Sequence, residues 1–195
     1  MRSANRIAPA AFLWLASCSF GAGLAVAASC DSLAGMKLGD ASVTAAGNVS
    51  PPFSIVGQVP SHVVSLSLPF CRVEGTIRPT ADSDIRFELW LPPASAWNSK
   101  YQGLGNGVFA GSIQYEPMRQ ALEAGYAVSG TDTGHVGSAV DARWAPGHLE
   151  KVVDFGWRAI HETAARPPRR SSRPIMAEPR PMPISADALT AAERR

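Results

Sequence analysis

Apolar and polar positions alternate over residues 71–78 (CRVEGTIR) and again over 85–91 (IRFELWL). Alternation sends one set of side chains to each face of an extended chain, so both stretches predict strands. The polar run 79–84 joins them as a hairpin, and Pro92-Pro93 stops the second strand. Upstream, residues 42–68 alternate less regularly and predict short strands. Gly47-Asn48, Pro51-Pro52 and Gly57 read as the turns between them. After the hairpin the period changes. Residues 101–104 predict a short strand that runs into the glycine-rich stretch 103–111. Residues 116–124 have helical spacing, with Met118, Ala121 and Leu122 on one face and Gly125 as the stop. Residues 126–129 predict a buried strand that ends in Gly130-Thr131-Asp132-Thr133-Gly134-His135. Residues 149–163 are helical again, with Leu149, Val152, Val153, Gly156, Trp157 and Ile160 on one side. A hairpin followed by alternating strand and helix predicts an α/β protein whose later strands are parallel.

Charge divides the chain differently. The net charge is +2 and the isoelectric point about 8.6, but the basic residues sit at the ends. Residues 1–28 carry Arg2 and Arg6 and no acid, and 166–195 carry seven arginines against Glu178, Asp187 and Glu193, which leaves 29–165 at −4. Basicity confined to the ends is poor support for a nucleic-acid partner. Two arginines ahead of an apolar stretch, then Ala25, Val26, Ala27 and Ala28, have the layout of a cleaved secretory signal over 1–28. A membrane-spanning helix and a lipoprotein signal at Leu15-Ala16-Ser17-Cys18 are the alternatives. Cleavage leaves no membrane contact and predicts a secreted or periplasmic protein. It also leaves Cys30 and Cys71, an even pair that reads as a disulfide in an oxidising compartment. Neither cysteine has a histidine at ligand spacing, so no metal site is expected.

The densest candidate for chemistry is Gly103-Leu104-Gly105-Asn106-Gly107-Val108-Phe109-Ala110-Gly111. Close-set glycines after a strand expose backbone N–H groups that can hold an oxyanion, and Gly105, Asn106, Gly107, Val108 and Phe109 are the residues placed to do so. A plain tight turn is the alternative. The stretch fits neither a nucleotide P-loop nor a dinucleotide fingerprint, so no cofactor is expected. Asp132 and His135 stand three apart at a strand end, but no nucleophile accompanies them, and they read as residues that brace a loop. His62, His148 and His161 carry no signal of their own. The chain has no G-x-S-x-G turn, no HExxH and no EF-hand loop.

From Cys71 to about Ala164 the chain resembles the tannase and feruloyl esterase family. The stretches that carry this are FCRVEGTIRPTADSDIRFELWLPPASAWNSKYQGLGNGVFAGSI, ALEAGYAVSGTDTGHVG and FGWRAIHETA, in that order. The resemblance implies the N-terminal part of an exported α/β-hydrolase that cleaves small esters of aromatic acids. It implies the disulfide between Cys30 and Cys71 and an oxyanion-hole N–H from the turn 105–109. It also implies glycine where this chain has Val108, which strains the turn if that position takes a positive φ. The family's nucleophile is a serine in a G-C-S-x-G-G turn just after the last predicted helix. That turn, the acid and base of the triad and the lid that selects substrate have no counterpart here, so no catalytic residue is assigned and the chain is expected to be inactive. A strand-poor sheet is expected to leave apolar surface and an open edge. Two other readings remain. One is a binding module for phenolic or polysaccharide ligands using Trp90, Trp97 and Trp144, and the other is a pseudogene product.

The organisation expected is therefore a signal over 1–28, a partial hydrolase domain over 29–164 and a disordered Arg/Pro-rich tail over 165–195. The tail reads as the product of a frameshift. Codons exist for Arg170 to Arg195 that, read two bases later, spell LIAPYHGRTPAHAYFSGCSDGGREA, in which Asp187-Ala188-Leu189 would encode the Cys-Ser of G-C-S-D-G-G.

Overall fold

A computed structural model describes residues 29–57 and 63–165. The expected signal, the expected tail and His62 lie outside the described residues. A short 3-10 turn, Cys30–Leu33, opens the fold. Then come β1 (Lys37–Leu38), β2 (Ala41–Val49), β3 (Phe53–Val56), β4 (Val63–Leu66), β5 (Phe70–Ile77), β6 (Ile85–Leu91), β7 (Tyr101–Gly103), α1 (Tyr115–Glu123) and β8 (Ala127–Thr131). A helical run follows, made of α2 (Leu149–Val153), a π-helical segment (Asp154–Arg158) and α3 (Ala159–Ala165).

Six strands form one sheet in the order β1-β2-β5-β6-β8-β7, and β3 pairs with β4 in a separate hairpin. The expected β5–β6 hairpin is antiparallel, with Cys71 opposite Leu91 and Ile77 opposite Ile85. The expectation of parallel later strands holds for β7 and β8, where Tyr101 pairs Ala127 and Gly103 pairs Ser129. One of the expected turns is absent. Gly47-Asn48 is not a turn: β2 runs through it, paired with Arg72 and Cys71. A glycine and an asparagine are tolerated there because a long partner strand supplies the ladder that local propensity does not.

Period two in β6 sorts its residues onto two covered faces. Ile85, Phe87, Leu89 and Leu91 share one face. There Leu89 and Leu91 pack with Cys30, Leu33, Val43, Cys71, Val73 and Ala127, and Ile85 and Phe87 with Ala41, Ile77 and Ala159 of α3. Trp90 lies on the other, with Phe70, Val64, Leu66, Val128 and the α1 residues Tyr115, Met118, Ala121 and Leu122. Helix α1 therefore covers one face of the sheet and α3 the other. Cys30 and Cys71 are disulfide-bonded, with Cα atoms 5.7 Å apart. The loop closed by the bond, a separation of 41 residues, corresponds to about 4 kcal/mol in the chain-entropy account.

Glu88 is buried on the α1 face with four hydrogen bonds. Arg72 donates from Nε to Oε2 at 2.9 Å and from Nη2 to Oε1 at 2.7 Å. Trp90 Nε1 donates to Oε2 at 2.8 Å, and the Tyr115 hydroxyl donates to Oε1 at 2.7 Å. Every lone-pair direction of the carboxylate is used, the condition under which a buried charge is tolerated. Trp90 stacks on Tyr115 and is fully buried, so it offers no ring to a ligand. Trp97 packs against the core and donates its N–H to the Lys100 carbonyl.

The last helical run reverses an expectation. Leu149 is 73% exposed and Trp157 56%, whereas Asp154, Ala159 and Thr163 are the buried positions. Helix α2 buries none of its residues, and in the π-helical segment that follows, which adds a residue to one turn, the buried positions fall at 154 and 159, five apart.

Candidate functional site

Strands β7 and β8 are parallel neighbours, so their carboxyl ends lie side by side. In open α/β sheets ligands bind beyond the carboxyl ends of such strands. Both segments singled out from the sequence leave the sheet at this point, the glycine turn from β7 and Asp132-Thr133-Gly134-His135 from β8.

The two segments are tied together by name. Asn106 Nδ2 donates to the Thr131 carbonyl at 3.1 Å and to Thr133 Oγ1 at 3.3 Å. Gly111 and Gly137 exchange backbone hydrogen bonds at 3.0 and 3.2 Å. His135 Nε2 lies 3.0 Å from the Phe109 carbonyl. A carbonyl only accepts, so Nε2 carries the proton and Nδ1 is bare, buried and without a partner. The imidazole stacks on Trp144 with ring centres 4.0 Å apart and meets Phe155 edge-on at 5.6 Å. Gly111 is glycine for a packing reason: a Cβ there would come within 2.6 Å of His135 Nε2.

Within the turn, Ala110 N–H closes on the Gly107 carbonyl and Phe109 N–H donates to the Ala139 carbonyl. Phe109 is therefore already committed. Among the described residues no backbone carbonyl accepts the N–H groups of Gly105, Asn106, Gly107 or Val108. Val108 has φ 53°, in the left-handed region, and its side chain is 70% exposed. Thr133, at the facing position of the other loop, has φ 59°. Two β-branched residues in that region are strained, and such strain collects at functional sites.

Asp132 is buried. Its Oδ1 accepts the backbone N–H groups of Arg86 and Gly134, each at 2.9 Å. Burial raises its pKa to about 7, and the two N–H donors only partly offset this. Asp132 is thus held by the backbone, and His135 by the Phe109 carbonyl and a wall of rings. Among the described residues neither is hydrogen-bonded to the other, and each holds one loop to another part of the site. Asp154, in the π segment, is the residue the sequence did not flag. It is fully buried, accepts from Arg158 at 2.9 Å, and leaves Oδ2 without a partner. Burial raises its pKa as well, against the pull of Ser83 and Arg158. Gly134, at φ +87°, faces it so closely that a Cβ would lie 2.9 Å from the Asp154 Cβ. His148 pairs with Asp82 at 2.9 Å on the surface, and His161 meets the ring of Trp157. Neither belongs to this site. Among the described residues no group of three or more His, Cys, Asp or Glu could hold a metal ion, and no helix is long and apolar enough to cross a membrane.

A family model for tannase and feruloyl esterase matches residues 71–168. An uncharacterized esterase of Xanthomonas campestris is 42% identical over 137 residues, covering 70% of this chain and 23% of the relative. A probable feruloyl esterase B-2 of Aspergillus flavus is 32% identical over 120 residues, covering 61% and 22%. The crystal structure of feruloyl esterase B from Aspergillus oryzae superposes with a TM-score of 0.59 at 26% identity, covering 66% of this chain and 26% of that one. The chain spans about a quarter of the length of the curated relatives it matches.

Proposed function

The chain belongs to the tannase and feruloyl esterase family, and from that premise we propose that it builds the oxyanion side of an exported carboxylic-ester hydrolase acting on small esters of aromatic acids. The observation that carries this is the pairing of β7 and β8. Their adjacent carboxyl ends present Gly105 to Val108, with N–H groups free of backbone partners, against a loop fixed by Asp132 and His135. Donors held rigidly at that place stabilise the oxygen that becomes negative when an ester carbonyl is attacked. Hydrolysis through a serine alkoxide uses water and calls for no cofactor.

The described residues hold the donors, and among them no serine stands in a glycine-flanked strand-to-helix turn. His135, the buried histidine at the site, has Nε2 against the Phe109 carbonyl and no hydroxyl partner at Nδ1 among the described residues. We therefore read the chain, as it stands, as catalytically incompetent. The Cys30 to Cys71 disulfide favours an oxidising compartment and so supports export. Methyl ferulate and a p-nitrophenyl ester, assayed at high protein concentration, are expected to show no turnover above buffer. Turnover, or covalent labelling of the 195-residue chain by a fluorophosphonate, overturns the reading.

A further inference from the structure

We propose that the helical run 149–165 is a brace that holds the two loops of the site against each other, and that Phe155 is its positioning residue. This rests on the ester-hydrolase reading above and adds what keeps the oxyanion donors in place.

Phe155 is half-buried in the π-helical segment, and its ring meets rings from both loops. Phe109 of the glycine turn lies 6.2 Å away between ring centres. His135 and Trp144, from the stretch after β8, lie 5.6 and 5.2 Å away. None of these four rings belongs to the three clusters that form the core of the sheet. Their packing joins loop to loop rather than helix to sheet.

The neighbours of Phe155 repeat the pattern. Asp154 stands against the β8 loop, its Cβ 2.9 Å from where a Cβ on Gly134 would lie. Ile160 stands against the glycine turn, its Cδ1 3.2 Å from where a Cβ on Gly105 would lie. In an α-helix, residues five apart point about 140° away from each other. The π turn removes that divergence. The Ala159 N–H bonds back to the Asp154 carbonyl, five residues earlier, which brings 159 over 154 and 160 over 155. Phe155 and Ile160 thus share a side, and both reach the glycine turn. Single π turns inside helices are frequent at functional sites.

The other side of the brace is fastened to the β5–β6 hairpin. Arg158 Nη1 donates to Glu150 at 2.8 Å, to Asp154 at 2.9 Å and to Ser83 Oγ, in the hairpin turn, at 3.4 Å. His148 pairs with Asp82 of the same turn at 2.9 Å. Ala159 packs with Ile85 and Phe87. A ring carried on a helix pinned in this way sets the separation of the loops it touches. The N–H groups of Gly105 to Val108 serve a developing oxyanion only when held to within about 0.5 Å.

The test uses the 195-residue chain, with benzoate, a small aromatic carboxylate, as the anion offered to the donors. In the unaltered chain benzoate should shift the amide resonances of Gly105 to Val108. Phe155→Ala should weaken that binding at least fivefold, and Phe155→Tyr, which keeps the ring, should leave it within twofold of the unaltered chain. Phe109 donates its N–H to Ala139, and Gly111 and Gly137 to each other, so these amides report on the junction of the loops. In Phe155→Ala their hydrogen exchange should quicken at least tenfold more than that of Phe87 and Leu89 in β6. If the alanine variant does not fold, Phe155→Leu is read by the same two ratios. Equal quickening at the loops and in β6, quickening on one loop alone, or benzoate binding changed less than fivefold overturns the brace. Absence of any benzoate shift at Gly105 to Val108 in the unaltered chain overturns the ester-hydrolase reading instead, and the exchange ratio then decides the brace by itself.

Discussion

The two ends of the sheet have solved the burial of their strands differently. On the β5–β6 side no buried side-chain nitrogen or oxygen of the described residues lacks a partner. Strand β6 is covered on both faces, Glu88 carries four hydrogen bonds, and a disulfide fastens the first turn to β5. On the β7–β8 side, β8 is fully buried but among the described residues β7 has a neighbour on one edge only, and the adjoining helix turns Leu149 and Trp157 to water. Among the described residues the side-chain atoms buried without partners, Asn106 Oδ1, His135 Nδ1, Trp144 Nε1, Asp154 Oδ2 and Thr163 Oγ1, lie in the segments after β7. Stability is concentrated at one end and unsatisfied polarity at the other. That separation is expected where a rigid scaffold supports a reactive surface.

The contrast can be broken by weakening the closed end. Reduction of the disulfide, or replacement of Cys30 and Cys71 together by alanine, should lower stability by about 4 kcal/mol in a denaturant melt. Glu88→Ala leaves the Arg72 charge, the Trp90 N–H and the Tyr115 hydroxyl without their acceptor. It should cost about 3 kcal/mol or more by the same measurement.

The open end should respond to pH. Asp132 has its folded pKa raised to about 7, above an unfolded value of about 3.9. Between those limits the folded chain keeps a proton that the unfolded chain has released. Its contribution is therefore complete below about pH 4 and lost as pH rises through 7. Thermal melts between pH 5 and 8 should show falling stability. Asp132→Asn, which keeps the Oδ1 acceptor for Arg86 and Gly134, should flatten the slope. Val108→Gly should relieve the left-handed backbone and stabilise the chain by about 1 kcal/mol, seen as a higher midpoint. Leu149→Ser and Trp157→Ser should each shift stability by less than about 0.5 kcal/mol, since water already covers those side chains. A larger loss at either would mean that the face is occupied in solution.

The same contrast explains what could be read in advance. The β5–β6 hairpin was legible because alternation is a local signal and its two strands are joined by a short turn. The carboxyl-end pairing of the glycine turn with Asp132-Thr133-Gly134-His135 was legible only as two separate segments. Asn106, which joins them, acts across 25 positions to the Thr131 carbonyl. The helix over 149–165 was legible as a helix, but its buried side was not, because the buried Asp154, Ala159 and Thr163 include two polar residues that no apolar periodicity marks. Glu88 was invisible for another reason. A single charge in an alternating strand looks like a solvent position, and only the arrival of Tyr115 from α1 and Arg72 from β5 shows that it is buried.

The bond between Cys30 and Cys71 decides how this protein is held. It fixes the first described segment to β5, which stands three places from β7 in the sheet, roughly 14 Å at ordinary strand spacing. A lipid, a surface or an affinity resin attached ahead of Ser29 would therefore grip the protein three strands away from β7, the strand that carries the glycine turn.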